Sequence, residues 1–230
     1  HVPTKDMEVF RNGFLILSDW AGGFLFDPAE VDKERGVIVE EWRQGRGADA
    51  RILDKQLPVI FTGSRYAERL PIGKKETIES FPHEVLKRFY HDWYRPGLMA
   101  VVAVGDFNAD EAEALIRELF SGLQEPPEPR ERVVYPPGRT EEPVDAIATD
   151  PEATYAVASL YFKRDPAPER TVGDYRRILE NILISSMMND RLAEVTEQSD
   201  PPFAAAYCGY TSLVRSSDVF IVQSLASAGG

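Results

Sequence analysis

Cysteine is nearly absent from this chain: Cys208 is the one copy in 230 residues, which excludes an internal disulfide and leaves the fold to burial and hydrogen bonding. In the strand predicted around it, the thiol reads as a small core residue and not as a nucleophile. Histidine is almost as scarce. The three are His1, His83 and His91, and the last two lie eight apart on a predicted helix, not at the four-residue spacing that lets two imidazoles meet one metal. No apolar run is long enough to span a bilayer, which excludes insertion by a helix. Basic residues are outnumbered 26 to 38, for a net charge of −12. Nucleic acid and anionic membranes would be repelled, whereas a neutral or basic peptide would be tolerated. What is present, 43% hydrophobic and 28% charged residues, is enough for one large or two small cores.

The segment FDPAEVDKERGVIVEEWR carries carboxylates where apolar residues would be expected. Asp27 as N-cap, Pro28 at the first helical position and Glu30 three residues after the cap predict a helix opened by a capping box. At about 100° per residue, Val31, Ile38 and Trp42 fall on one stripe, widened by Val37 and Val39. Glu34 and Glu41, seven apart, project along one edge of that stripe, and Glu40 points nearly the opposite way. Two carboxylates beside a buried face cost several kcal/mol per charge unless a cation, a metal or a hydrogen-bond network compensates them. The residues alone leave two alternatives open: an acid-rich exposed edge pairing with Lys33, Arg35 or a neighbouring helix, or a pair with chemistry to do.

Residues 7–21 place Phe10, Phe14, Leu17 and Ala21 at helical spacing, and Gly22 and Gly23 end that helix. The helix from Pro28 is expected to run to about residue 56, kinked at Gly45 and Gly47, with Pro58 as its stop. Residues 63–75 read as an irregular loop in which Arg65, Tyr66 and Arg69 show no periodicity. A helix over 82–94 gathers Val85, Leu86, Phe89, Tyr90 and Trp93, with His83 in its first turn and His91 on its polar side. The apolar run 99–104 predicts a strand buried on both faces. Asn108 then caps a helix with Ala112, Leu115, Ile116 and Leu119 inward. Residues 124–143, rich in proline and charge, predict a linker. Strands over 144–149 and 154–162, a helix over 171–196, and strands over 203–211 and 219–226 follow. This order predicts an α+β fold with mixed, largely antiparallel sheets and helices packed on one face.

Taken together, the motifs resemble the insulinase/pitrilysin-like zinc metallopeptidases. DPAEVDKERGVIVEEWR is similar to the segment that supplies the third zinc ligand in that family, and FTGSRYAERLPIG, FYHDWYRPGLMAVVAVGDF and the helix at 109–123 continue the likeness in order. Those enzymes are inverzincins, in which an H-x-x-E-H helix gives two histidine ligands and a glutamate base, and a distant helix gives the glutamate that completes the site. Matched residue by residue, the resemblance implies that Glu41 is the metal ligand and that Glu34 is the acid behind it, orienting a ligand histidine. It also brings Arg65, Tyr66 and Arg69 near the cleft, as candidates for substrate contact.

H-x-x-E-H itself does not occur here, so the chain reads as an internal fragment that starts after the motif and stops early at LASAGG, with His1 either native or left from a tag. The expected organisation is two consecutive insulinase-like domains, both incomplete: 1–124 as the C-terminal part of the catalytic domain, 125–141 as linker, and 142–230 as the start of the second, non-catalytic domain. The implied function is that of a zinc-dependent metalloendopeptidase acting on peptides or unfolded polypeptides. Its partners are the peptide substrate and the remaining domains of the same polypeptide, and the resemblance implies a location in the periplasm or otherwise outside the cytoplasm by export. The fragment by itself is expected to be inactive and to retain no zinc, since one carboxylate is too few ligands. Two competing readings remain: a non-catalytic structural or binding paralogue of the same fold, and an unrelated peptide-binding α+β protein in which Glu34 and Glu41 form salt bridges.

Overall fold

Helices occupy the chain up to residue 120, and among the described residues the sheet follows only from residue 157. The computed structural model describes residues 3–226, so His1 lies outside it. In chain order the elements are α1 (Met7–Gly22), α2 (Pro28–Gln44), α3 (Ala48–Ile60), α4 (Lys75–Ser80), α5 (His83–Trp93), α6 (Ala109–Phe120), β1 (Val157–Arg164), α7 (Val172–Thr196), β2 (Phe203–Val214) and β3 (Ser217–Ala226). They fall into two compact units that interleave in sequence: His1–Glu41 with Lys74–Arg132, and Trp42–Gly73 with Val133–Gly230.

In the first unit, the Asp6 carboxylate caps α1 by accepting from the Glu8 and Val9 N–H groups at 3.0 and 3.2 Å. Phe10 and Phe14 of α1 and Ala112 and Leu115 of α6 form the buried centre, with Val101, Ala103 and Phe107 packed on it. The rings of Phe10 and Phe14 meet edge to face at 5.1 Å. Aromatic burial of this kind is worth about 1.5–3 kcal/mol per side chain. Asn108 caps α6 as its position in the sequence predicts, accepting from Asp110 and Glu111. The expected strand over 99–104 does not form. Val101 and Ala103 turn toward the core, but Val102 and Val104 are 79% and 91% exposed, and no described strand pairs with this stretch. A strand needs a hydrogen-bonded neighbour, which an apolar run cannot supply by itself.

In the second unit, β1, β3 and β2 form one antiparallel sheet in that spatial order, with Val157 opposite Leu225 and Cys208 opposite Val222. The β2–β3 hairpin carries bulges near both of its ends. Thr171 and Asp174 make a reciprocal capping box at the start of α7, and Asn189 of α7 exchanges two hydrogen bonds with the Cys208 backbone at 2.7 and 3.0 Å. Those bonds tie the helix to the edge strand β2. Cys208 is buried, as its place in a strand predicts.

Three local expectations are corrected. A single kinked helix from Pro28 is instead two helices, because Gly47 takes an extended conformation (ψ 177°) and begins α3 anew. Pro58 does not stop α3, which runs on to Ile60. Near a helix end its missing N–H costs a single bond, and Thr62 Oγ1 donates to the Pro58 carbonyl at 3.0 Å. Residues 144–149 are not a strand, since their carbonyls are taken by α3 side chains: Gln56 donates to Ala146 at 3.0 Å and Lys55 to Thr149 at 2.7 Å. The architecture is α+β with an antiparallel sheet, as the element order predicts.

Candidate metal-ligand edge and the groove beside it

Why α2 begins where it does is a matter of two neighbouring residues. Phe26 holds a left-handed backbone (φ 54°), uncommon for a side chain with a Cβ. The ring is kept there by Tyr90 at 5.1 Å and Phe24 at 5.7 Å. Tyr90 is itself fixed, stacked on Tyr94 at 4.7 Å and donating its hydroxyl to the Trp20 carbonyl at 2.8 Å, and burial pushes its phenol pKa up. Asp27 then caps the helix, accepting from the Ala29 N–H at 2.8 Å. The expected capping box is only half made, because Glu30 turns along the helix to pair with Lys33.

Most charged side chains around the first three turns of α2 are committed to partners. Arg35 pairs with Asp32 at 2.9 Å, donates to the Ile78 and Phe81 carbonyls at 2.5 and 2.6 Å, and lies 3.9 Å over the Phe81 ring. Asp32 also meets the His83 imidazole at 2.8 Å, and the bonds from His83 and Arg35 hold its carboxyl below the usual range. His83 is therefore tied into a network and is not simply a solvated residue in the first turn of α5. The His91 ring lies against Tyr90.

Glu34 and Glu41 differ from their neighbours: both are exposed, and neither makes a hydrogen bond or ion pair to any described residue. Glu34 lines an open groove of about 750 Å³, together with Trp20, Phe24, Phe26, Val31, Ile38, Ile78, Phe81 and Arg35. Ile38, one turn short of Glu41, is in that lining, and Glu41 itself is not. Among the described residues no three His, Cys, Asp or Glu side chains gather into a metal cage. Glu41 by itself is one hard oxygen donor, fewer than a metal site needs.

The second unit holds the other candidates. Ser64, buried, accepts from the Tyr66 N–H at 3.3 Å and donates to the Tyr135 carbonyl, fixing the short 3₁₀ turn that carries Arg65 and Tyr66. Arg65 stacks over Tyr135 at 4.5 Å and Tyr66 packs on Phe61 at 5.9 Å. Arg69 is exposed, with no hydrogen bond or ion pair to a described residue. Reading the sequence missed the anchoring of α2 by Phe26 and Arg35. A backbone angle leaves no trace in residue spacing, whereas the arginine was visible, but only as a partner for a neighbouring acid.

Residues 80–211 match the family described as the peptidase M16 inactive domain. The chain is 34% identical over 205 residues to the zinc protease PQQL-like of Arabidopsis thaliana, covering 89% of this chain and 21% of that protein. It is 31% identical over 196 residues to the probable zinc protease PqqL of Escherichia coli, covering 84% of this chain and 21% of the relative. The crystal structure of the first half of the periplasmic protease PqqL from Escherichia coli superposes with a TM-score of 0.84 at 26% identity, over 98% of this chain and 48% of that one. The chain thus spans about a fifth of the length of these two curated relatives.

Proposed function

The chain belongs to the peptidase M16 family, and from that premise we propose that it is one segment of a zinc-dependent metalloendopeptidase that hydrolyses peptides or unfolded polypeptides. Glu41 is the third zinc ligand in this reading and Glu34 orients a histidine ligand, the histidines belonging to an H-x-x-E-H helix elsewhere in the polypeptide. The observation that carries it is the free carboxylate edge: Glu34 and Glu41 share one side of α2 without a described partner, and Glu34 faces a largely apolar groove. An exposed acid without a described partner is open to a group from outside these residues, and an imidazole held behind a metal is the partner this arrangement suits.

Zinc, when bound, supplies Lewis acidity toward a water and toward the scissile carbonyl. The residues of this chain supply one oxygen donor at Glu41, a hydrogen-bond acceptor at Glu34, and an apolar wall from Trp20, Val31 and Ile38 along the open groove. Arg65, Tyr66 and Arg69 are the proposed substrate contacts, with Arg69 the least committed of the three. Residues 1–124 form the later part of the catalytic domain and 142–230 begin the second, non-catalytic one, joined by 125–141. The two relatives named as zinc proteases support the activity, and the periplasmic location of the Escherichia coli protease supports an exported one here. By itself the chain is expected neither to hold zinc tightly nor to cleave peptides.

A second reading, a non-catalytic paralogue of the same fold, is favoured by one observation: the matched family is described as inactive, and residues 80–211 lie beyond both glutamates. The full-length protein and its Glu41→Gln variant separate the two, with Glu40→Gln as control. For the enzyme, Glu41→Gln loses stoichiometric zinc on dialysis, and kcat/KM falls by more than the roughly 100-fold that losing a group behind a ligand costs. A full-length protein that, before any substitution, holds no zinc and cleaves no peptide would leave only the paralogue, and zinc content and activity unchanged by Glu41→Gln would remove Glu41 from the site.

A further inference from the structure

We infer that Arg35 is a positioning residue that sets the rotation of α2 about its own axis, and with it the direction in which Glu34 and Glu41 face; this rests on the metal-ligand reading above. α2 contributes no fully buried side chain among the described residues. Its apolar stripe is half-buried at Val31 and Ile38 and exposed at Val37. Ridge-and-groove packing therefore has no deep knob with which to fix the helix's azimuth. Arg35 supplies fixed contacts on that helix instead. The side chain is only 15% exposed, its two terminal nitrogens each take one carbonyl at the end of α4, and its plane lies on Phe81. The third nitrogen meets Asp32, whose same oxygen meets His83 at the start of α5.

The geometry converts this into direction. With about 100° per residue, Glu34 lies about 100° from Arg35 and Glu41 about 120° from it on the same side, so both carboxylates sit a fixed turn away from the clamp. Phe26, held left-handed by Tyr90 and Phe24, fixes where the helix starts, which leaves rotation as the remaining freedom. A guanidinium suits the task because its planar fork holds two carbonyls and stacks on a ring at once, whereas an ammonium is a single point charge.

The test uses the full-length protein with four variants, Arg35→Ala, Arg35→Lys, Leu115→Ala and Glu41→Gln, reading zinc affinity, the visible spectrum of the cobalt-substituted protein and the melting temperature. Arg35→Ala and Arg35→Lys are expected to weaken zinc binding by about 10–100-fold, the range for groups that act behind a ligand, and to shift the cobalt bands. Arg35→Lys retains a melting temperature near that of the wild type. Leu115→Ala, which opens a hole in the Phe10/Phe14 core, lowers the melting temperature while leaving zinc affinity and spectrum unchanged. Wild-type affinity and spectrum in both Arg35 variants, or an equal loss of zinc in Leu115→Ala, would overturn the positioning role while leaving the metal reading intact. Zinc fully retained by Glu41→Gln would overturn both.

Discussion

α6 and α2 up to Glu41 belong to the first unit, and the two helices are held by different means. α6 drives Ala112 and Leu115 into a cluster closed by Phe10 and Phe14, so its position follows chiefly from volume and apolar area, with Arg11 forked on Glu118 at the exposed side. α2 buries nothing fully. It is fixed by a strained Phe26, a capping Asp27 and a forked Arg35. The difference teaches that a helix secured by polar anchors along one side can leave its other edge uncovered, which is what a helix must do to offer Glu34 and Glu41 to something beyond itself.

The comparison can be broken or sharpened in order of expected effect. Phe14→Ala should destabilise the chain by about 3–5 kcal/mol, the usual cost of deleting a core aromatic, as measured by urea unfolding. A loss below about 1 kcal/mol would mean that the α1–α6 cluster does not hold the unit. Acid should act on α2 more than on the core turns of α6, where the lowered carboxyl is that of the exposed Glu118, paired with Arg11. Asp32 has its carboxyl pKa depressed by His83 and Arg35, so it contributes stability above the ordinary aspartate value of 3.8, lost as pH falls through the lower folded value. Amide protection in α2 should therefore fall below about pH 4 before that of α6, as followed by hydrogen exchange. Equal loss in both helices would remove the distinction between polar anchors and apolar knobs. Smallest of all, Glu34→Gln and Glu41→Gln should shift the stability of this chain by no more than about 0.5 kcal/mol each, as exposed residues without partners do. A larger loss would show that these acids serve the fold.

What could be read from the residues was local. Asn108 before α6, the apolar spacing of Phe10 and Phe14, and the long amphipathic run of α7 each announce their element within one or two turns of chain. Some failures are local, such as the break at Gly47 and the Glu30–Lys33 pair, but the larger ones depend on distant partners. An apolar run over 99–104 looks like a central strand, but strand pairing is non-local, and Val102 and Val104 stay exposed. Residues 144–149 give their carbonyls to Lys55 and Gln56 about ninety positions away. The candidate site divides in the same way. Helical periodicity puts Glu34 and Glu41 on one edge, whereas the groove that Glu34 lines and Glu41 does not is built from α1, α4 and α5 as well, and no spacing within α2 foretells it.

The most direct measurement is diffraction from the zinc-loaded full-length protein at the zinc absorption edge, locating the metal relative to α2. A Glu41 carboxylate oxygen about 2.0–2.2 Å from the anomalous peak, with Glu34 reaching a ligating imidazole instead of the metal, is the predicted result. A zinc peak with no Glu41 oxygen in its coordination sphere would contradict it.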